Sequence, residues 1–336
     1  MAGRETFVLL RAFLYVLSLV YGFFVRTRIF LYEIGALKAV RVGCKVISIG
    51  NITAGGSGKT PVAIKVAAFL KARGKKVVIL SRGYKRKKTG LVVVSGFAGP
   101  LAGQEDAGDE AYLMAIKLKG VPVIVSADRV EAARRAIKEF SADAVVLDDG
   151  FQHLRLARDV NVVLIDAGKR FGTGHLLPRG VLREPLPGLS RADCFMIKGL
   201  GVPAEIAGAG KPVFNFSYKP SMLRSLDGKQ TPLGFLRGKR VAMVSGIAFP
   251  ESFEATVKEL GAAIDKVFIY PDHHAYSKED VFEITAGTVG LDAIVTTEKD
   301  VVKLIGLWPK EVLLLAVSIE VEIENQEGFL ELMSKG

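Results

Sequence analysis

The chain has 336 residues, 49% of them hydrophobic, and 46 Lys and Arg against 35 Asp and Glu give a formal net charge of +11. Its two cysteines, Cys44 and Cys194, are too few for a disulfide framework or a cysteine-built zinc site, and a reduced compartment is the default setting. The length admits two domains or one large one, and the basic balance admits nucleic acid, an anionic membrane surface or a phosphorylated substrate as partner.

The first element is the apolar run FVLLRAFLYVLSLVYGFFV over residues 7–25, close to the roughly 20 residues that span a bilayer core. No A-x-A-like site follows it, and the next segment is RTRIF, which argues against a secretory signal. Its less apolar positions, Arg4, Arg11, Tyr15, Ser18, Gly22 and Arg26, share one narrow stripe at about 100° per residue. The pattern predicts an interfacial anchor, apolar side down, with arginines at lipid phosphates. A spanning helix is the second alternative and a buried helix of a soluble fold the third. With an anchor present, a membrane explains the basic charge better than nucleic acid does.

From residue 45 onward, short β-branched runs alternate with helical patterns. Strands are predicted over 45–50, 77–81, 91–95, 121–126, 144–149, 161–166 and 194–198, with helices over 60–74 and 128–142. Such alternation indicates a parallel sheet covered on both faces by helices. After a Gly/Ala-rich stretch at 199–212, a second series predicts strands over 213–218, 240–247, 266–271, 293–297 and 312–321, and a helix over 251–262. The expected organisation is α/β. It comprises a membrane-associated helix (1–36), a P-loop NTPase-like core (37–205) and a smaller C-terminal α/β lobe (206–336) that completes a site in the cleft between lobes.

The string GNITAGGSGKTP, residues 50–61, lies between a predicted strand and a predicted helix, the context a phosphate-binding loop requires. Thr53 occupies the slot of the first glycine in G-x-x-x-x-G-K-[ST], but Gly55, Gly56 and Gly58 leave the backbone free to turn its N–H groups inward. The cradle predicted is Thr53, Ala54, Gly55, Gly56, Ser57, Gly58, Lys59 and Thr60. Lys59 reaches the β- and γ-phosphates and Thr60 offers its hydroxyl to Mg²⁺; the helix that starts there presents its positive end to the anion. AVVLDDG (144–150) ends an apolar strand in Asp148 and Asp149, which fits a Walker B element holding Mg²⁺; a solvated turn is the bland alternative.

The pair IGNITAGGSGKTP and LDDGFQH (147–153) resembles the tetraacyldisaccharide 4'-kinases of lipid A biosynthesis. LSRGY (80–84), GDEAYLMA (108–115), LPRGVLREP (177–185), YPDHHAYS (270–277) and VTTEKDVVKL (295–304) follow in that family's order, so the resemblance covers nearly the whole chain. It implies a kinase that uses ATP and Mg²⁺ to phosphorylate the 4'-hydroxyl of a tetra-acylated glucosamine disaccharide 1-phosphate. It would work at the cytoplasmic face of the inner membrane, with no nucleic acid and no obligate protein partner. His175 and Arg179 depart from the residues usual in the family and carry no role over from it.

The resemblance points to Asp109 as the base, assisted by His273, with His274 as the rival histidine. From the residues alone, Asp109 is also an ordinary helix cap and DHH a surface turn. Arg183, Glu184 and Tyr84 are expected on the substrate side. Glu110 is either in the metal's outer shell or at a helix start, Gln152 and His153 support the acidic pair, and Thr297 caps a helix. Lys299 is a possible substrate contact. Two rivals remain: a P-loop GTPase or ATPase acting as a switch or in metal or cofactor insertion, and a membrane-bound nucleotide sensor. TEKD is not the N-K-x-D of guanine specificity, which favours ATP.

Overall fold

A computed structural model of the chain describes residues 2–55 and 58–334, with side chains from residue 9 onward. Helix α1 (Ala2–Glu33) leads into strand β1 (Lys45–Asn51), helix α2 (Lys59–Ala72), β2 (Val77–Ser81), β3 (Val92–Ser95), the single turn α3 (Gln104–Ala107) and α4 (Asp109–Lys117). Next come β4 (Val123–Val125), α5 (Arg129–Phe140), β5 (Ala144–Asp148), β6 (Val160–Asp166), β7 (Cys194–Lys198), α6 (Ala204–Ala207), β8 (Val213–Ser225) and β9 (Gln230–Thr231). The chain ends with β10 (Arg240–Ser245), α7 (Pro250–Glu259), β11 (Ala263–Ile269), α8 (Lys278–Gly287), β12 (Ala293–Thr297), α9 (Glu298–Leu304), β13 (Leu314–Ile323) and α10 (Gln326–Ser334).

Among the described residues the strands form one sheet in the order β11-β10-β12-β13-β8-β7-β6-β1-β5-β2-β4-β3, with β9 beside β8. Pairing is parallel within each half except at edge strand β3 and at the short β9, which runs antiparallel to β8. The Gly/Ala-rich segment does not interrupt the sheet: β7 and β8 on either side of it pair in parallel. The joining element is β8, longer than the sequence pattern suggests at 13 residues. Its first residues pair with β7, and from Phe216 onward it pairs antiparallel with β13. The sequence reading stopped at 218 because beyond it β8 is KPSMLRS, with a proline and no sustained apolar run.

Strands β1, β2 and β5 are buried throughout apart from the first residue of β1, as continuous apolar strands must be when helices cover both faces. Helix α2 buries Thr60, Val62, Ala63, Val66, Ala67 and Leu70, an i, i+3, i+4 stripe that seals one face of the sheet. Asp128 caps α5 by accepting from the N–H groups of Val130 and Glu131 at 2.9 and 3.3 Å. The helix buries its alanines against Val46, Val78 and Leu147 on the other face. Each side chain taken fully out of water in this way contributes about 1.5–3 kcal/mol if it is Val, Leu or Ile. Helix α4 belongs to both halves, since Leu113 packs in one cluster with Ile284, Val301, Leu304 and Trp308.

Helix α1 is long and apolar enough, over Leu9–Glu33, to cross a membrane by length and composition. The middle of its less apolar stripe packs against the protein, while Arg11 and Arg26 of the same stripe are exposed. Ser18 is 4% exposed, Gly22 packs against Leu176, and Tyr15 meets the His175 ring edge-on at 5.9 Å. The opposite face exposes Leu9, Phe13, Val16, Val20, Phe23 and Phe24. A protein surface is thus the partner of the stripe at Ser18 and Gly22; Arg4 lies outside the described side chains.

Candidate active site

Strands β1 and β5 are parallel neighbours with Ile49 opposite Asp148. Their carboxyl ends therefore bring the glycine-rich loop and the acidic pair together, as open α/β sheets do at their ligand sites. Gly58 precedes α2 in the left-handed region, φ 74°, which only glycine adopts without strain. A Cβ there would also collide with the Tyr218 hydroxyl, which donates to the Gly58 carbonyl at 2.8 Å. Gly56 and Ser57 lie outside the described residues. The start of the loop is tied down from the LPRGVLREP segment: Ala54 N–H donates to Val181 O at 2.7 Å and Arg183 N–H to Ile52 O at 2.8 Å, and Thr53 bridges to Leu182.

Lys59 Nζ lies 3.3 Å from Asn51 Oδ1 and 3.5 Å from Asp149 Oδ1. The Thr60 hydroxyl donates to Asp148 Oδ2 at 3.4 Å. Arg183 Nη1 donates to both Asp149 oxygens at 2.8 Å. The two adjacent carboxylates are pushed in opposite directions. Burial raises Asp148 to about 7, helped by the nearby carboxylates of Glu110 and Asp149. Burial also raises Asp149, but Lys59 and Arg183 outweigh it and hold that group below the usual carboxylate range. Asp148 Oδ1 is buried with no hydrogen-bond partner among the described residues, an arrangement a cation relieves.

Asp109 opens α4, but Gly108 is the cap residue. The Asp109 side chain instead lies 3.2 Å from His273 Nδ1 through Oδ2 and takes the Gln104 amide on Oδ1. Burial pushes its pKa up, yet the hydrogen bonds from His273 and Gln104 prevail and keep it low. His273 has a left-handed backbone, φ 62°, and meets the edge of Tyr84 at 5.5 Å. His274 faces elsewhere, stacked on Tyr270 at 4.6 Å and 2.9 Å from Asp280. Glu110 pairs with Lys299 at 2.9 Å and Lys117 with Glu298 at 2.7 Å, so α4 carries an ion pair at either end to α9. Thr297 caps α9 through the Asp300 N–H at 3.1 Å.

Of the substrate-side residues, Tyr84 is 61% exposed and Arg183 is engaged with Asp149. Glu184 departs from expectation. It is 2% exposed and bound to Arg191 at 2.5 Å and Gln152 at 3.1 Å, which places it behind the site rather than on its surface. Gln152 also donates to the Asn51 carbonyl at 2.8 Å. His153 is pushed down to about 4 by burial and by the Arg129 charge. His175 and Arg179 both meet Tyr15 of α1, Arg179 donating to the Arg11 carbonyl at 3.0 Å. Asn51, Gln104 and Arg129 were not singled out in the sequence. A fully buried Asn ending an apolar strand was a usable signal; Gln104 and Arg129 gave none.

Residues 10–335 match the family described as tetraacyldisaccharide-1-P 4'-kinase. The chain belongs to that family. Among its relatives, the tetraacyldisaccharide 4'-kinase of Syntrophus aciditrophicus is 41% identical, covering 99% of this chain and 95% of the relative. That of Desulfatibacillum aliphaticivorans is 40% identical over 97% of this chain and 92% of its own. Among solved structures, LpxK from Aquifex aeolicus in complex with ATP superposes with a TM-score of 0.82 at 34% identity, covering 97% of this chain and 98% of that one.

Proposed function

We propose that the chain is a tetraacyldisaccharide 4'-kinase, transferring the γ-phosphate of ATP to the 4'-hydroxyl of a tetra-acylated glucosamine disaccharide 1-phosphate. The observation that carries this is the joining of two groups of residues. The Lys59–Asp149 cluster suits a triphosphate, and the Asp109–His273 pair suits a hydroxyl; Glu110, next to Asp109, acts electrostatically on Asp148.

In the proposed mechanism, the loop from Thr53 to Gly58 and the start of α2 hold the phosphates by backbone N–H groups. Lys59 leaves its carboxylate partner to neutralise the β- and γ-oxygens. Thr60, Asp148 and Asp149 would hold Mg²⁺. The unpartnered Asp148 oxygen fits that, and phosphates and water complete such a site, so protein ligands need supply only part of it. When bound, the ion supplies further charge neutralisation on the transferring group. Asp109, kept ionised by His273 and Gln104, takes the 4'-hydroxyl proton, and His273 holds its carboxylate in place. Tyr84 and Arg183 line the acceptor side. The outward apolar face of α1 supports peripheral or monotopic attachment at the cytoplasmic face of the inner membrane, where the acylated acceptor resides.

Incubating the protein with γ-labelled ATP, Mg²⁺ and the disaccharide 1-phosphate lipid tests the proposal. Label is expected on the 4'-position, with ATP consumed only when lipid is present. Equal ATP hydrolysis without lipid contradicts it and points to a hydrolytic switch.

A further inference from the structure

The VTTEKDVVKL segment contributes Thr297 and Lys299 to the contacts above, but its Asp300 has no part in them beyond its capped N–H. Asp300 is fully buried, and its counter-ion Lys303, 2.7 Å away, is 5% exposed. Burying an ion pair is a poor route to stability, so its retention calls for a specific use. Asp300 Oδ2 accepts from the Thr297 hydroxyl at 2.7 Å and from the backbone N–H of Gly246 at 3.0 Å. The carbonyl of the same Gly246 accepts from the backbone N–H of His273 at 3.3 Å.

His273 sits where a non-glycine backbone is disfavoured, φ 62°. A residue in that state persists when its surroundings over-determine it. Gly246 leaves little play: a Cβ there would lie 3.0 Å from Asp300, 3.2 Å from the Tyr276 hydroxyl and 3.3 Å from the Pro271 carbonyl. Tyr276 closes the pocket, with Lys303 Nζ 5.2 Å over its ring.

We propose that Asp300 is a positioning residue for the phosphoryl-transfer site: by clamping Gly246 it holds the His273 backbone in its left-handed turn and so aims Nδ1 at Asp109. The proposal rests on the assignment of Asp109 and His273 made above. Asp300 touches neither substrate nor reacting atoms; its effect passes through one residue, Gly246, by its N–H and its C=O. Lys303 pairs with Asp300 at 2.7 Å, and its charge also lowers the Asp109 pKa.

The test is a double-mutant cycle on the full chain, reading kcat, KM for ATP and melting temperature for Asp300→Ala, Asp300→Asn, His273→Ala and each Asp300 variant combined with His273→Ala. Asp300→Ala is expected to lower kcat about tenfold through misplacement of His273, with KM for ATP unchanged within about twofold. Asp300→Asn retains an acceptor oxygen for Gly246 and should recover most of that loss. With His273 already alanine, neither change should lower kcat further. Should Asp300→Ala fail to fold, the smaller Asp300→Asn loss and its disappearance in the His273→Ala background carry the same test. The same fold-loss in both backgrounds, or a loss seen in KM for ATP alone, overturns the proposal. If His273→Ala by itself leaves kcat intact, the Asp109–His273 assignment fails, and the role of Asp300 with it.

Discussion

The proposed phosphate end and proton end of the site are assembled in different ways. The first draws on contiguous strings, 53–60 and 148–149, whose described parts meet at Lys59–Asp149 and Thr60–Asp148 because β1 and β5 are sheet neighbours. The proton end joins Asp109 to His273, 164 residues apart, and exists only because α4 packs against α9 and the loop after β11. The first is local chemistry on a rigid edge; the second is a product of packing between the two halves. Changes at the interface between halves should therefore damage proton handling and spare nucleotide binding, whereas changes in the loop should do the reverse.

The largest expected effect is at the phosphate end. Lys59→Ala should lower transfer to the lipid about 10³-fold, the size of effect typical for a lost charge-stabilising donor, with a melting curve like that of the parent. Undiminished transfer would remove Lys59 from the site. The matching change at the interface is Leu113→Ala. Removing a buried leucine costs about 2–5 kcal/mol, and here the cavity opens beneath α4, where it meets α8 and α9. Thermal unfolding should reveal the cost, and kcat should fall further than ATP affinity. Equal loss of both would blur the distinction between the two ends.

A smaller effect is expected with pH. The His153 pKa is lowered from 6.5 to about 4 by burial and the Arg129 charge, so between those values the unfolded chain takes a proton that the folded one refuses. Its contribution to stability is complete above about 6.5 and is lost as pH falls toward 4. The melting temperature should decline across that window, and His153→Gln should flatten the decline; an unchanged slope would mean that other groups dominate. Smallest is Tyr21→Phe. The Tyr21 hydroxyl donates to the Arg183 carbonyl at 2.7 Å, tying α1 to the segment that holds Asp149. Losing that bond should cost about 0.5–1.5 kcal/mol in urea unfolding, and no change would leave α1 uncoupled from the site.

The same contrast explains what was legible in the sequence. Strands β2, β7 and β12 fell on their predicted residues because buried parallel strands are continuous apolar runs bounded by polar turns. That Lys59 and Thr60 meet Asp149 and Asp148 could be anticipated because the spacing within each string follows from local backbone geometry. Asp109 and His273 emerged only through resemblance, since neither GDE nor DHH signals a partner in the other half. The moment along α1 told where its polarity lies, but not that Ser18 and Gly22 of the polar stripe pack against protein. Glu184 in LREP was expected on the substrate side, and only the fold reveals its pairing with Arg191. The far part of β8 was missed because its pairing with β13 is set by tertiary context rather than by alternation.

The central claim is that a nucleotide site and a separate proton acceptor act together. The most direct measurement compares Asp109→Asn with the parent for Mg²⁺-dependent ATP binding and for transfer of labelled phosphate to the lipid. Unaltered ATP binding with transfer reduced about 10²–10⁴-fold, the range for a lost general base, is the predicted result. Transfer at the parent rate, or loss of ATP binding in step with transfer, would contradict it.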